Sequence, residues 1–300
     1  MKKLIHIDLV PNFEADDYEI IKNLINGKTY DVLLSKNKVK EILSSYFPNG
    51  EIFFFNSARS ALTFLLTQTY ADINNQHESV SEIITQAFSC LVVPNAIKFA
   101  GLKPVYVDID ETFNPDIEDL KRKINDKTKA IIIQNTFGIP AKIDEILEIA
   151  KNNNLLVIEN LTHSLGAKYK GKYLGNFGDV ALLSFNRNKV ISSIIGGALI
   201  INNKNLAEKI KTEYQKLPEL KQKEIKKILF TGKVLYQAKK NYNFLMKIYL
   251  RFLRMRGFTL EMVSLLEKQG QKPKNYLAKF PLILFPLLEN QLKKLERFNQ

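Results

Sequence analysis

Short apolar runs alternate with longer amphipathic stretches through the middle of this chain. Between the runs, apolar residues recur every three or four positions, a spacing typical of helices that bury one face. Two more stretches of this kind, 16–25 and 37–46, precede the first run and predict helices. The alternation predicts an α/β fold, a mostly parallel mixed sheet with helices on both faces. The predicted strands are 51–55, 82–88, 104–110, 129–135 and 155–160. One predicted helix follows the first strand and extends to about residue 70, and another follows the second strand and begins at about residue 94.

Polar motifs follow these apolar runs where each predicted strand ends. Ligands of parallel α/β sheets bind beyond the carboxyl ends of the strands. The motifs should therefore meet at one edge of the sheet and form a single site. They are 56–57, 88–90, 134–135, 160–163 and 184–189.

One lysine stands out among these motifs. Lys189 ends a polar loop that lies between two apolar runs, 180–183 and 198–201. Such a lysine would keep its stem near the core and turn its amine toward a cavity, and partial desolvation lowers a lysine pKa and frees a nucleophile. The alternative is an ordinary surface lysine in a strand-to-strand turn, since the chain has 44 Lys and Arg residues.

The segment 56–60 delivers small and hydroxyl residues to the start of a predicted helix. Free backbone N–H groups and the helix dipole favour a phosphate at such a position. The alternative is a helix cap without a ligand, in which Ser57 or Ser60 accepts a hydrogen bond from the first turn.

Composition places the chain among ordinary soluble proteins. Of its 300 residues, 45% are apolar and 25% charged, enough for one large α/β domain with an appendage. A single cysteine excludes a disulfide within the chain. The N-terminal stretch has no apolar run typical of a signal peptide, and no run approaches the ~20 apolar residues of a membrane span. We therefore expect a cytoplasmic protein.

The basic charge is concentrated in the last third. After Asn203 lie 22 of the 44 basic residues but only 8 of the 31 acidic ones. We therefore divide the chain into a near-neutral domain, 1–205, and a basic helical segment, 206–300. Residues 217–258 of that segment are basic and aromatic, a composition compatible with packing on the domain, with an anionic membrane surface or with nucleic acid. We favour packing, with membrane-surface contact next, and do not expect nucleic acid.

The ordered set of motifs resembles the DegT/DnrJ/StrS family of sugar aminotransferases, which use pyridoxal 5'-phosphate (PLP). The resemblance implies the large domain of the fold type I PLP-dependent transferases, a homodimer, and transfer of an amino group, with glutamate as donor, to a keto nucleotide-sugar of polysaccharide or sugar biosynthesis. The matching segments are NSARSAL (56–62), PNAIKFAGLKPVYVDID (94–110), QNTFGIPAKID (134–144), VIENLTHSLGAKYKGKYLGNFGD (157–179), SFNRNK (184–189) and IGG (195–197).

The same resemblance assigns roles to single residues. Lys189 would hold PLP as a Schiff base and, once displaced, carry the proton between the donor and the cofactor. His163 would lie near the phenolic oxygen, although a structural histidine is the alternative. The resemblance places Arg59, Ser60 and Ser184 at the phosphate and Cys90 against the ring. We add Asn186 as a cofactor contact without a specific role, and no metal is implied.

Asn160 departs from the family pattern. The family reads Glu-Asp at the end of this strand, where the aspartate pairs with the ring nitrogen, but this chain reads Glu159-Asn160. An asparagine carries no charge and would not keep that nitrogen protonated. Glu159 should not substitute, because adjacent strand residues point to opposite faces. The protein could be a slow aminotransferase, could run a PLP reaction that needs less electron withdrawal, or could be a relative that binds the cofactor weakly.

The last stretch, 277–300, resembles the return of the family chain toward its small domain. In the family, a further small domain follows this point. We therefore expect a truncated or shortened member, and a non-catalytic or altered-chemistry relative remains the second hypothesis.

Overall fold

The computed structural model describes residues 9–70 and 80–299; the first eight residues, part of the stretch without a signal-peptide run, lie outside it. Helices and strands alternate through its first two thirds, and helices alone form the last third. The helices are α1 (Ala15–Ile25), α2 (Val32–Tyr46), α3 (Ala58–Tyr70), α4 (Val92–Phe99), α5 (Ile117–Lys123), α6 (Ile143–Asn152), α7 (Lys204–Gln215), α8 (Gln222–Lys240), α9 (Phe244–Met255), α10 (Leu265–Lys268), α11 (Phe285–Leu292) and α12 (Leu295–Phe298). The strands are β1 (Glu51–Phe55), β2 (Glu82–Gln86), β3 (Lys103–Val107), β4 (Thr128–Ile133), β5 (Leu156–Asn160), β6 (Lys168–Tyr169), β7 (Lys172–Tyr173), β8 (Val180–Ser184) and β9 (Gly197–Ile201).

Seven strands form one mixed sheet in the order β1-β9-β8-β5-β4-β2-β3. The pairs between β8 and β3 are all parallel, whereas β9 runs antiparallel to both β8 and β1. Strands β1, β2, β4, β5 and β8 therefore point the same way and end at one edge. The predicted α/β fold with a mostly parallel mixed sheet and a helical C-terminal segment is confirmed.

The central strands are buried on both faces. Every residue of β2, β8 and β9 is buried, as expected for strands covered by helices on each side. On one face, α3 and α4 pack against the sheet through Leu62, Leu65 and Ile97. The other face supports a larger cluster that joins the N-terminal helices to the C-terminal segment.

The N-terminal helices are tied to the chain end by buried polar groups. Asp17 on α1 is fully buried, and its carboxylate accepts hydrogen bonds from Gln291 (2.8 Å) and Lys294 (2.9 Å). Since these partners follow Asp17 by more than 270 residues, the C-terminal helices are part of the same packed body. The proposed division at 205/206 stays a prediction.

Helix α2 begins five residues before the stretch predicted for it. Asp31 caps it, because its side chain accepts a hydrogen bond from the N–H of Leu34 at 2.8 Å. The extra turn carries the exposed Leu33 and Leu34, which do not follow the apolar spacing that the prediction used. Among the described residues, no helix is long and apolar enough to cross a bilayer.

Candidate functional site

A cavity of about 650 Å³ opens at the sheet edge where the parallel strands end. One wall consists of the loops that follow β1, β2, β4, β5 and β8, and the other consists of the C-terminal segment between residues 220 and 276. Of the eight residues proposed from the sequence, seven line this cavity and one, Ser60, lies beneath its wall. The seven are Arg59, Cys90, Asn160, His163, Ser184, Asn186 and Lys189.

Lys189 lies in the loop between β8 and β9, and the backbone of this loop is held in place. The Lys189 N–H donates to the carbonyl of Asn186 (3.0 Å), and the Lys189 carbonyl accepts from the side chain of Asn12 (3.2 Å). The amine is largely shielded from water, and this burial lowers the pKa of Lys189 from its ordinary 10.5 to about 8. A sizeable fraction of the amine is therefore neutral near physiological pH and can act as a nucleophile or base.

His163 is a neutral imidazole beside this lysine. Burial, and then the charge of Lys189, lower the pKa of His163 to about 4. Its ring stacks on Phe137, with the ring centroids 5.9 Å apart and the planes 1° from parallel. The Nδ1 atom is buried without a hydrogen-bond partner among the described residues, which is costly for a polar atom and marks a place where a bound group would fit.

The start of helix α3 forms the floor of the cavity. The Ser60 N–H donates to Ser57 Oγ (3.2 Å), and Ser60 Oγ donates to Asn56 Oδ1 (2.6 Å). Ser57 therefore caps the helix, and Ser60 is fully buried behind it. Gly197 permits this packing, because a Cβ there would lie 2.3 Å from the backbone nitrogen of Ala58. The first-turn N–H groups of α3 are those that a helix leaves without an intrahelical acceptor.

Arg59 binds the opposite wall. Its Nε lies 2.8 Å from Glu267 Oε1, and its Nη1 donates to the Met262 carbonyl at 2.6 Å. Glu267 is buried and also accepts from Ser264, whose hydroxyl caps α10. The Arg59 side chain therefore holds the C-terminal segment against the start of α3.

Sequence reasoning missed Glu267 and the whole C-terminal wall. The spacing Ser264-x-x-Glu267 is a capping box, a helix-start signal visible in the sequence. No local pattern connects it to Arg59, which precedes Glu267 by 208 residues. The wall residues of this segment are Leu220, Glu224, Lys227, Ile228, Thr231, Leu260, Glu261, Met262, Val263, Ser264, Glu267, Pro273, Asn275 and Tyr276.

The loop after β8 carries the remaining predicted contacts. The Asn186 N–H lies 3.5 Å from Ser184 Oγ, and Asn186 Oδ1 accepts from the N–H of Arg187 at 2.8 Å. Arg187 in turn donates to the Leu260 carbonyl on the opposite wall (3.0 Å). Cys90 is exposed at the cavity mouth. The loop thus presents a hydroxyl, Ser184, and an amide, Asn186, to the cavity that holds Lys189.

Asn160 and Glu159 face opposite sides of the sheet end. The Glu159 carboxylate is fully buried and accepts three backbone N–H groups, from Gly175 (2.7 Å), Phe177 (2.8 Å) and Gly178 (2.7 Å). Asn160 lines the cavity, and its Oδ1 accepts from the Thr162 N–H at 3.2 Å. Since that bond uses the oxygen, the amide group has its NH₂ to offer to the cavity.

Comparison with known proteins gives a consistent result. A sequence model of the DegT/DnrJ/EryC1/StrS aminotransferase family matches residues 13–233. GDP-perosamine synthase of Escherichia coli O157:H7 is 41% identical over 129 residues, which are 43% of this chain and 35% of that protein. The chain thus spans about a third of the length of this curated relative.

Solved structures share the fold, among them PseC and NtdA. Helicobacter pylori PseC, an aminotransferase involved in the biosynthesis of pseudoaminic acid, superimposes with a TM-score of 0.65 at 24% identity, covering 95% of this chain and 64% of PseC. Bacillus subtilis NtdA, solved with bound cofactor PMP, superimposes with a TM-score of 0.66 at 20% identity, covering 99% of this chain and 57% of NtdA. The fold is therefore that of the fold type I PLP-dependent transferases.

Proposed function

Because the chain belongs to the DegT/DnrJ/EryC1/StrS aminotransferase family, we propose that it is a PLP-dependent aminotransferase acting on a keto nucleotide-sugar in polysaccharide or sugar biosynthesis. The observation that carries the proposal is the Lys189 amine. It lies on the wall of a cavity that also contains a helix start, and burial lowers its pKa to about 8.

The residues around the cavity fit the cofactor. Bound PLP would supply an aldehyde for the lysine amine and a ring that accepts electrons from the reacting carbon. Lys189 would hold the aldehyde carbon, and the first turn of α3 with Ser184 would hold the phosphate. The orphaned Nδ1 of His163 supports a polar group of the ligand at that point. Arg59 braces that helix start through its ion pair with Glu267, and its own contact with the phosphate stays a proposal.

Two side chains have the properties that proton movement requires. The Lys189 Nζ can take up and release a proton near neutral pH, because its pKa is about 8. The His163 ring stays neutral over the same range, so it can donate or accept one hydrogen bond without adding a second positive charge. The phenyl ring of Phe137 stacks on that imidazole.

A second candidate function is altered chemistry or loss of catalysis within the same fold. Asn160 favours it, because a neutral amide at the strand end cannot hold a ring nitrogen in its charged form as an aspartate does. In this case the chain binds PLP but does not exchange its amino group with glutamate at a useful rate.

We also propose the partners that the family resemblance implies. They are a nucleotide-sugar as acceptor, glutamate as amino donor, and a second copy of the chain in a homodimer, all in the cytoplasm. The coverage of relatives is partial, so the whole reaction stays a proposal. We further propose that the basic C-terminal segment contacts a membrane surface, and the part of the segment that supports this proposal is helix α9.

Absorbance spectroscopy tests the function. The purified chain mixed with PLP should gain a band near ~420 nm that glutamate bleaches. Lys189→Ala should lack the band, and Lys227→Ala, a lysine on the opposite wall of the cavity, should retain it. A wild-type protein without the band, or a band that survives in Lys189→Ala, overturns the proposal. A band that glutamate leaves unchanged favours the second function.

A further inference from the structure

Helix α9 exposes a row of large apolar side chains. Phe244, Leu245 and Met255 are 74%, 73% and 77% exposed, and Ile248 and Phe252 are about half exposed. The spacing of Phe244, Ile248, Phe252 and Met255 places them along one side of the helix. Soluble proteins rarely leave contiguous patches of this kind uncovered, so the row indicates a binding surface.

The opposite side of α9 faces the domain. Leu253 is buried, and Met246 and Leu250 pack against the main core. Asn243 caps the helix, its side chain accepting from the N–H of Met246 at 2.9 Å. The exposed row therefore belongs to a helix that is anchored on the domain and presents this side outward.

The chain segment that carries the row has charges of one sign only. Residues 225–260 contain nine Lys and Arg residues and no Asp or Glu. Lys247, Arg251 and Arg254 are exposed and spaced three or four residues apart, so they form a second row beside the apolar one. Arg256 lies over the Phe252 ring, 5.5 Å from its centroid. Apolar and cationic groups thus share one face.

We propose that this face of α9, defined by Phe244, Leu245, Ile248, Phe252 and Met255 with Lys247, Arg251 and Arg254, binds the surface of an anionic phospholipid bilayer. The apolar row would enter the boundary between headgroups and acyl chains, and the basic row would contact the lipid phosphates. At twelve residues, α9 is far too short to span a membrane, so it lies in the plane of the surface.

The charge also distinguishes a lipid surface from a second copy of this chain. A two-fold interface places the same patch on both subunits. Two α9 faces in contact would bring the rows Lys247, Arg251 and Arg254 together, and neither α9 nor the flanking sequence within 225–260 carries an acidic residue that could pair with them. An anionic bilayer neutralises the same groups, and each basic residue near such a surface strengthens the attraction.

Vesicle co-sedimentation of the full chain tests the proposal. Wild type should bind vesicles of phosphatidylcholine with about 30% phosphatidylglycerol at least about tenfold more tightly than vesicles of phosphatidylcholine alone. Ile248→Ser with Phe252→Ser, and separately Arg251→Gln with Arg254→Gln, should each weaken that binding about tenfold or more.

Matched controls carry the same changes elsewhere. Leu33→Ser with Leu34→Ser alters two leucines that are 61% and 49% exposed on α2, and Lys151→Gln with Lys204→Gln removes two exposed charges from α6 and α7. Both controls should bind like wild type, and circular dichroism melts should show that all variants are folded.

Four outcomes overturn the proposal. They are no binding by wild type, equal binding to both vesicle types, unchanged binding by both α9 variants, and a loss of vesicle binding in the controls as large as that in the α9 variants. Sedimentation velocity supplies a fifth: if Ile248→Ser with Phe252→Ser turns a dimer into a monomer, the face is an interface between copies and not a lipid-binding surface. None of these measurements involves PLP, so they stand apart from the test of the enzymatic function.

Discussion

Arg59 Nε and Glu267 Oε1 lie 2.8 Å apart, and this ion pair joins the two walls of the cavity. One partner belongs to the first turn of α3 and the other to α10, more than 200 residues later. The Asn95 side chain donates to the Glu267 carbonyl at 2.7 Å and holds the same turn from a third direction. The C-terminal segment is therefore an integral part of the site, because it fixes the helix start that we propose as the phosphate subsite.

Breaking this pair should lower the stability of the fold. In Glu267→Gln, the Arg59 guanidinium loses its counter-charge. We expect the free energy of unfolding to fall by about 2 kcal/mol, less than for a fully buried pair because the Arg59 side chain is 21% exposed. Urea denaturation followed by fluorescence measures the loss. Glu261→Gln, an acid on the same wall without an ion pair among the described residues, should change little; equal effects would contradict the assignment.

Lys189 should react with amine reagents at unusually low pH. Burial lowers the pKa of Lys189 to about 8, about 2.5 units below the ordinary lysine value of 10.5. Its rate of modification by a small aldehyde followed by reduction should therefore reach half its plateau near pH 8. Mass spectrometry of proteolytic peptides measures every lysine in one sample, and the exposed Lys151 and Lys204 serve as internal controls. A Lys189 profile superimposable on theirs would contradict the buried amine.

The same pKa shift has a consequence for stability. The ammonium form of Lys189 is the one that burial disfavours. Below about pH 8 the folded chain therefore bears the full free-energy cost of burying the ammonium group. Above that pH the cost falls, so the stability of the fold rises as the pH approaches the unfolded pKa of 10.5. Lys189→Met should accordingly be more stable than wild type at pH 7, and the difference between them should shrink above pH 8.

The sequence predicted the sheet and the convergence of polar motifs well, because both follow from patterns that extend over a few residues. Buried parallel strands read as apolar runs, and the rule that ligands bind at their carboxyl ends brought Lys189, Asn160 and Ser184 to one edge. The opposite faces of Glu159 and Asn160 followed from the strand period alone.

The features that escaped prediction depend on contacts between distant segments. The ion pair of Arg59 was not predicted, because its partner Glu267 belongs to a segment whose position no local pattern specifies. Helix α9 carries apolar residues around most of its circumference, so its spacing could not distinguish the packed Leu253 from the exposed Phe244. The basic segment packs on the domain through α8 and through one side of α9, and the other side of α9 is exposed.

His163 should remain neutral well below its ordinary pKa. Burial and the nearby Lys189 charge lower its pKa to about 4, so its ring proton resonance should not shift between pH 8 and about pH 5. The chain has three histidines, and His163→Gln assigns the signal. Lys189→Met should raise the His163 pKa because it removes the nearby charge. Titration near pH 6.5 in wild type would contradict the burial of this ring.

The lowered pKa of His163 also makes the stability of the fold depend on pH. A histidine with a lowered folded pKa contributes stability that is present above its unfolded value of 6.5 and is lost as the pH falls from there toward about 4. Wild type should therefore lose more stability between pH 6.5 and pH 4.5 than His163→Gln, as measured by urea denaturation at each pH. Parallel curves for the two proteins would show that His163 does not titrate in this way.

Asn160 should leave the ring nitrogen of bound PLP without a proton. Its Oδ1 accepts from the Thr162 N–H at 3.2 Å, so the NH₂ group is the part available to the ligand, and an N–H donor stabilises the unprotonated, accepting form of a pyridine nitrogen. With PLP labelled with ¹⁵N in the ring, the wild-type complex should show the chemical shift of a neutral pyridine. Asn160→Asp should shift it toward the pyridinium value and raise the rate of amino transfer from glutamate, because a charged ring withdraws electrons more strongly.

Asn186→Asp places a carboxylate in the same cavity but in the loop after β8, and should leave the shift unchanged. A wild-type signal already at the pyridinium value would contradict this role of Asn160.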